Sequence, residues 1–194
     1  MTGYIKKDEL YLEGEFDGNI DIKGVNIYTA NGKITISSAE GFKINGGFDL
    51  PITKANLSGF VTNEGIELEG NATKGLTVAG NEFNFTNSHV SASTKTGVQL
   101  SGNMDLYFVK TNVSGSFGSN NTFSLSGTVK RSLGPWDSTI NTTVTQSGVA
   151  LSGRGCLDVP IIGTQCQSLS FQPNWRNKTV KVCRGAICLS LIHI

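Results

Sequence analysis

A short motif recurs along the chain, in which two apolar residues alternate with polar ones and are followed by a glycine. Residues 41–50 (GFKINGGFDL) correspond to residues 97–106 (GVQLSGNMDL), 56 positions later, and a third copy begins at residue 148 (GVALSG). Repetition at a steady period indicates an array of similar units that stack on one another. Shorter versions of the motif lie at residues 9–14, 65–70 and 122–127. The unit is therefore a pair of half-repeats, near 56 residues long.

Within each unit the side chains alternate at a period of two. Phe42, Ile44 and Phe48 share one parity, and polar residues occupy most of the other. Such alternation places apolar side chains on one face of a β-strand. Turn signals such as residues 31–32 (Asn-Gly) and 147–148 (Ser-Gly) separate the runs and favour tight hairpins. The sequence therefore predicts an all-β fold, a repeated antiparallel hairpin meander that forms a long curved sheet.

Each copy of the motif ends on a glycine that shares the apolar parity. A glycine inside a strand loses side-chain packing and costs conformational entropy, so its recurrence requires a structural reason. A sheet bends most easily where one face lacks Cβ atoms. We therefore predict that glycines aligned across neighbouring strands form a crease, with the apolar face inside the curve. The repeat glycines are Gly14, Gly46, Gly70, Gly102, Gly127 and Gly153.

A parallel β-helix is the alternative fold. Residues 63–71 and 75–81 combine short alternating runs with Gly-Asn pairs, a pattern typical of such coils. The longer alternations elsewhere and the uneven spacing of the glycines favour the meander. The sequence leaves open whether the curved sheet closes, folds onto itself as a sandwich or stays open as a trough. An open apolar trough would need a ligand or partner to cover it.

The pattern divides the chain into three parts. Residues 1–161 are the β-repeat array, residues 162–188 are a cysteine-bearing terminal segment, and residues 189–194 are a tail. The tail (LSLIHI) resembles the translation of a transposon end used in sequencing libraries, and we interpret it as non-native. No apolar signal-peptide region follows Met1, although a fragment could have lost such a segment.

The cysteines are confined to the last 39 residues. In a hairpin that turns near Gly163, Cys156 and Cys166 come close across two strands, and Cys183 and Cys188 bracket a four-residue turn. These two pairs are the connectivity that we favour among the three possible ones. Disulfides would imply an oxidising compartment, and four reduced, buried thiols are the alternative. The wide cysteine spacing does not favour a zinc site, so we predict no metal.

Few residues suggest catalysis. The two histidines are His89 and His193, and His193 lies in the tail, so neither a zinc triad nor the usual nucleophile–histidine couple can be assembled. Glu67 and Glu69 share the polar parity of one strand, at a separation compatible with a glycosidase carboxylate pair. Solvated acidic edges are far commoner than such pairs. Residues 17–21 (DGNID) resemble part of a calcium loop but lack its distal glutamate, and a turn is the preferred interpretation. We predict no catalytic residue and no enzymatic activity.

Composition and charge exclude further classes of function. The net charge is +1, and the basic residues of the second half are dispersed, so no nucleic-acid partner is expected. No Walker loop or dinucleotide fingerprint appears, and we predict no cofactor. Ser, Thr and Asn supply 55 of the 194 residues, so the polar face is largely uncharged.

The motif also carries a resemblance to known proteins. Strands such as residues 123–127 (FSLSG) and 149–153 (VALSG) resemble the repeats of large secreted or envelope β proteins. Over most of residues 9–161, this pattern of alternating apolar residues followed by glycine is similar to that of bacterial AsmA/TamB-like envelope proteins. This resemblance implies long sheets that form lipid-conducting grooves. It carries over no functional residue, and the cysteine-bearing end departs from it.

The sequence thus favours a non-enzymatic structural or interaction repeat module of an extracellular or cell-envelope protein. Two alternatives remain, an apolar-groove lipid carrier and a β-helix enzyme that acts on polysaccharides. The candidate partners are other protein chains, glycans or lipid, and the sequence does not distinguish among these three classes.

Overall fold

The computed structural model describes residues 1–133, 136–184 and 187–192. These residues form sixteen β-strands and one 3-10 helix at Ser119–Asn121. The strands are β1 (Thr2–Lys6), β2 (Glu9–Ile22), β3 (Val25–Ser37), β4 (Gly41–Asp49), β5 (Lys54–Thr62), β6 (Gly65–Ala72), β7 (Leu76–Val78), β8 (Asn81–Ser93), β9 (Gly97–Asp105), β10 (Lys110–Phe117), β11 (Phe123–Leu133), β12 (Trp136–Thr145), β13 (Gly148–Val159), β14 (Gly163–Asn174), β15 (Thr179–Arg184) and β16 (Ile187–Ile192).

The strands form one sheet in chain order, with the short β7 paired beside β8. Every strand pairing in the described residues is antiparallel. The predicted all-β antiparallel meander is therefore confirmed. The alternative of a parallel β-helix is wrong, because the paired strands of the described residues run in opposite directions, whereas the coils of a parallel β-helix repeat one direction. The edge strands β1 and β16 are not paired with each other in the described residues, so the sheet is open.

The repeat is visible in the strands themselves. Strands β4 and β9 begin and end at equivalent positions of the 56-residue unit, and β5 and β10 begin at equivalent positions. On β9, Val98, Leu100 and Met104 are buried on one face while Gln99 is exposed on the other. The period of two therefore separates an apolar inner face from a polar outer face.

The β2–β3 hairpin folds over one part of the inner face. Its tip carries Ile22, Val25 and Ile27, and none of the three side chains has accessible surface. The ammonium group of Lys23, in the turn, donates a hydrogen bond to the carbonyl oxygen of Lys95 between β8 and β9. Register shifts lie in both hairpin strands, between Phe16 and Gly18 in β2 and between Tyr28 and Lys33 in β3. Such bulges bend a strand and increase its twist, which lets the hairpin turn across the sheet.

The opposite flank folds over another part of the inner face. Trp175, in the β14–β15 turn, packs edge-on against Phe83 of β8, with ring centroids 5.2 Å apart. The ammonium group of Lys178 lies 5.0 Å from the ring centroid of Tyr107, just beyond the end of β9. An open sheet can therefore have a buried apolar face because its own flanks cover that face.

The turn predicted at residues 31–32 is wrong. Residues 31–32 carry the Asn-Gly pair that predicts a hairpin turn, but both lie inside β3. Gly32 is paired with Phe16, whose ring occupies the space where a Cβ atom on residue 32 would lie. The glycine here accommodates a neighbouring aromatic ring rather than a reversal of the chain. The described chain holds no helix that could span a membrane.

Candidate functional site

Two of the repeat glycines, Gly70 and Gly127, and the neighbouring Gly59 lie at points of close backbone approach. A Cβ atom on Gly70 of β6 would overlap the carbonyl oxygen of Asn56 on β5, and one on Gly59 of β5 would overlap the carbonyl oxygen of Glu67 on β6. The same relation holds for Gly127, whose Cβ atom would overlap the carbonyl oxygen of Asn112. These positions therefore accept no larger residue unless the backbone moves.

The glycines also alternate with large side chains across the sheet. Gly70 is paired with Leu57 on one side and Val90 on the other, and Gly59 is paired with Leu68. Large apolar residues are thus the register neighbours of glycines whose own Cβ space is taken by the backbone of the adjacent strand. Such close approach at a glycine is what the predicted crease requires, and the crease itself remains a prediction.

The other repeat glycines differ in how tightly they are packed. Gly102 lies under the ring of Phe85, and a Cβ atom on Gly153 would lie 2.6 Å from the carbonyl oxygen of Thr139. A Cβ atom on Gly46 would lie 2.8 Å from the carbonyl oxygen of Asn31, whereas one on Gly14 would lie 3.6 Å from Met1, an ordinary contact. The sequence motif identifies where the repeat glycines lie, but it does not predict how much room each position leaves for a Cβ atom.

The four cysteines form two cross-strand pairs on neighbouring hairpins. Cys156 of β13 is bonded to Cys166 of β14, and Cys183 of β15 is bonded to Cys188 of β16. Each pair also consists of register partners in its ladder. This is the connectivity that the hairpin argument favours, and it differs from the alternative of four reduced thiols. Residues 185–186, inside the predicted four-residue turn, lie outside the described residues.

The first disulfide lies where the β13–β14 hairpin loses its neighbours. Pairing between β12 and β13 ends at Asp137 and Cys156, and pairing between β14 and β15 begins at Ser170. Residues 157–165, which we call the finger, are thus paired only with one another in the described structure. A two-stranded hairpin alone is marginally stable in water, so the Cys156–Cys166 bond stabilises the hairpin where ladder support ends.

The tip of the finger is apolar and conformationally strained. The amide of Ile162 donates to the carbonyl oxygen of Val159 at 3.2 Å and closes a turn with Pro160 in its second position. Ile161, in the third position, has φ 75°, the conformation that a type II turn normally assigns to glycine. For a β-branched residue this costs about 1–3 kcal/mol. Ile161 is fully exposed and Ile162 is 69% exposed, so contacts within the chain do not offset that cost.

The acidic residues considered as catalytic candidates lie on the outer face. Glu67 and Glu69 are both exposed, on either side of the buried Leu68. A carboxylate oxygen of Glu67 lies 4.0 Å from the ammonium nitrogen of Lys95, which also pairs with Glu64. Both side chains therefore lie on the solvent-exposed face of the sheet.

A stronger ionic cluster lies on β2 and β3. The ammonium nitrogen of Lys33 lies 2.6 Å from a carboxylate oxygen of Glu13, and the phenol of Tyr11 donates to the same carboxylate at 2.5 Å. The hydrogen bond from Lys33, and then that from Tyr11, lower the pKa of Glu13, and the bond to Glu13 raises the pKa of Tyr11. This cluster stabilises the ladder near the edge strand β1.

The remaining candidates have structural roles. The turn preferred for residues 17–21 is wrong, because all five residues lie in strand β2. A carboxylate oxygen of Asp21 accepts a hydrogen bond from the amide of Gly24 at 3.1 Å, which closes the hairpin turn that follows. No group of three or more metal-ligating side chains occurs in the part of the chain that the structure describes.

His89 is exposed on β8, at a register shift after Thr86. It borders a shallow depression of about 510 Å³ whose other polar lining residues are Ser91, Gln99, Ser101, Ser114 and Ser116. His193 lies outside the described residues.

Comparison with protein-family models, curated proteins and solved structures gives no match for this chain.

Proposed function

We propose that this chain is a non-enzymatic structural or interaction module of an extracellular or cell-envelope protein. The observation that carries the proposal is the pair of cross-strand disulfides, which joins all four cysteines within the last four strands. Disulfides of this kind form and persist in oxidising compartments and are rare in the cytosol. The AsmA/TamB-like resemblance agrees with such a location and remains a prediction.

The two faces of the sheet support a scaffold role. The inner face is occupied by the chain's own apolar side chains and covered by its flanks, while the outer face carries short hydroxyl and amide side chains. Neighbouring outer-face residues bond across strands, as Thr128 does with Asn141 at 2.9 Å and Asn112 with Asn103 at 3.3 Å. A broad, weakly charged polar surface suits contacts with other chains or with glycans.

The lipid-carrier alternative has less support. A lipid chain would need the inner face, where Ile22, Val25 and Ile27 of the β2–β3 hairpin are fully buried. Loading would therefore require this hairpin to lift away from the sheet. Mass spectrometry of the natively purified protein distinguishes the two functions, because a carrier would retain lipid and a scaffold would not.

The compartment is tested by trapping thiols in the protein from its natural source. Cells are quenched in acid, and the protein is unfolded in denaturant with an alkylating agent before its intact mass is measured. We expect no alkylated cysteine without reductant and four after reduction. Four alkylated cysteines without reductant would contradict an oxidising location. A sample reduced before alkylation is the control for complete labelling.

A further inference from the structure

We propose that the tip of the finger inserts into the surface of a phospholipid bilayer. This contact is additional to the scaffold role and does not depend on it. The tip comprises Pro160, Ile161 and Ile162, all exposed, and carries no charged side chain. Ile161 is fully exposed in a strained turn and Ile162 beside it is 69% exposed, so transfer of this apolar surface out of water would be favourable.

The finger has a sharp boundary between apolar and polar residues. Asp158 lies two residues before the tip and Thr164 two residues after it, and the two side chains form a hydrogen bond across the hairpin. Gln165 below them is exposed as well. Strand β13 ends at Val159 and residues 159–162 form the turn, so the apolar tip extends beyond Asp158 by less than the roughly 10 Å that three extended residues would span. Apolar faces of interfacial segments are buried about 5–10 Å into the headgroup and acyl boundary, so this length suits insertion of the tip alone.

The small size of the tip favours a bilayer over a protein pocket. A stable protein interface buries about 800 Å² on each partner, from roughly 20–30 residues. Three tip residues fall far short of that area, and a larger contact would have to bury the polar stem. A bilayer needs only the transfer of apolar surface, and its fluid boundary accepts a protruding side chain without a preformed cavity.

Charge sets the lipid that is expected. The nearest exposed cation on the same strand is Arg154, five residues before Val159, where β13 ends, which corresponds to about 17 Å along an extended strand. Interactions between exposed charges are largely screened beyond about 8 Å at physiological salt. Insertion therefore depends on apolar surface rather than on attraction to anionic lipid. The charged side chain nearest to the tip along the chain is Asp158, so phosphatidylglycerol should not strengthen binding.

The disulfide and the turn hold the tip in place for insertion. The Cys156–Cys166 bond limits fraying of the finger, and the positive φ of Ile161 fixes the direction of its side chain. The substitution Ile161→Gly would relieve the strain in the turn and remove an apolar group at once. We therefore expect this variant to unfold at a higher temperature than the wild type and yet to bind membranes less well.

The proposal is tested by co-sedimentation of the oxidised chain with vesicles of phosphatidylcholine, alone or mixed with phosphatidylglycerol. We expect the wild type to bind both kinds, and the double variant Ile161→Ser/Ile162→Ser to bind at least about tenfold more weakly. The matched control is Ile5→Ser, since Ile5 is 78% exposed on the edge strand β1. This control should bind as the wild type does.

A second measurement locates the contact. In the variant Ile162→Trp, lipids brominated on their acyl chains should quench the added tryptophan, whereas the wild-type emission should change little. Failure of the wild type to bind either vesicle, or equal binding by the double serine variant, would overturn the proposal. Binding that requires phosphatidylglycerol would contradict the apolar mechanism. Capture of a protein partner through Ile161 and Ile162 without vesicle binding would assign the tip to a protein pocket instead.

Discussion

At the residue scale, the glycines on the inner face determine how closely two strands can approach. Gly59 and Gly70 lie on neighbouring strands, and each occupies a point where the carbonyl oxygen of the other strand fills the space of a Cβ atom. Neither glycine has the positive φ that would require glycine for conformational reasons. Their role is therefore to provide space, which a sequence motif can suggest only through recurrence.

The substitution Gly70→Ala tests this role. The added methyl group would collide with backbone rather than with a flexible side chain, so the ladder would have to shift. Overpacking of this kind costs about 1–3 kcal/mol, measured as a lower free energy of unfolding in urea. The control is Gly47→Ala on β4, where the nearest atom to the new methyl group, on the side chain of Asn56, would be 3.7 Å away. Gly47→Ala should change stability by less than about 0.5 kcal/mol; equal effects of the two substitutions would contradict the crease.

The Glu13 cluster gives a prediction about pH. Because the folded state lowers the pKa of Glu13 from its ordinary 4.5, its contribution is present above pH 4.5 and is lost as the pH falls through the folded pKa. Lys33→Met removes the principal cause of the shift. In urea titrations below pH 4.5, this variant should lose less stability on acidification than the wild type. Lys43→Met removes the same charge elsewhere and should follow the wild type, and identical acid profiles for Lys33→Met and the wild type would contradict the assignment.

At the element scale, one end of the β13–β14 hairpin is paired with the neighbouring strands β12 and β15, whereas the other end is paired only with itself. Its ladder runs from Ser152 paired with Ser170 to Val159 paired with Gly163, and the disulfide lies between these limits. A hairpin without neighbours opens locally more readily than a strand inside a sheet. The disulfide should therefore matter for the finger more than for the rest of the sheet.

Hydrogen exchange measures this difference. In the variant Cys156→Ser/Cys166→Ser, the amides of residues 157–165 should exchange faster, while those of β8 and β9 should keep the protection seen in the wild type. The matched control is Cys183→Ser/Cys188→Ser, which removes the other disulfide and should leave exchange in the finger nearly unchanged. Unaltered exchange of residues 157–165 in the first variant would show that the disulfide does not support the finger.

The elements also show what could be predicted from the sequence. The alternation in residues 97–106 predicts which side chains of β9 are buried, because a period of two fixes the face of every residue in a strand. The pairing of Cys156 with Cys166 is predictable because the two residues lie on either side of one short hairpin turn. The Asn-Gly pair at residues 31–32 misleads, since the long-range partner Phe16 decides its conformation. The positive φ of Ile161 could not be predicted, because the repeat motif does not include the turn that contains this residue.

At the scale of the whole molecule, the apolar face is buried because the two flanks cross it. The β2–β3 hairpin reaches the β8–β9 turn through Lys23, and the β14–β15 turn reaches β8 through Trp175. The sequence predicts a curved sheet but leaves open whether it closes, folds over or stays open. Those contacts join residues far apart in the chain, and no period in the sequence encodes them.

The contact between Trp175 and Phe83 is the most direct test of this arrangement. Nuclear Overhauser measurements on the oxidised chain should show cross-peaks between the indole of Trp175 and the ring of Phe83, whose centroids are 5.2 Å apart. These peaks should disappear in Trp175→Leu while those between β8 and β9 remain. A Trp175 indole that gives no cross-peak to Phe83 and is freely quenched by acrylamide would contradict the covered inner face.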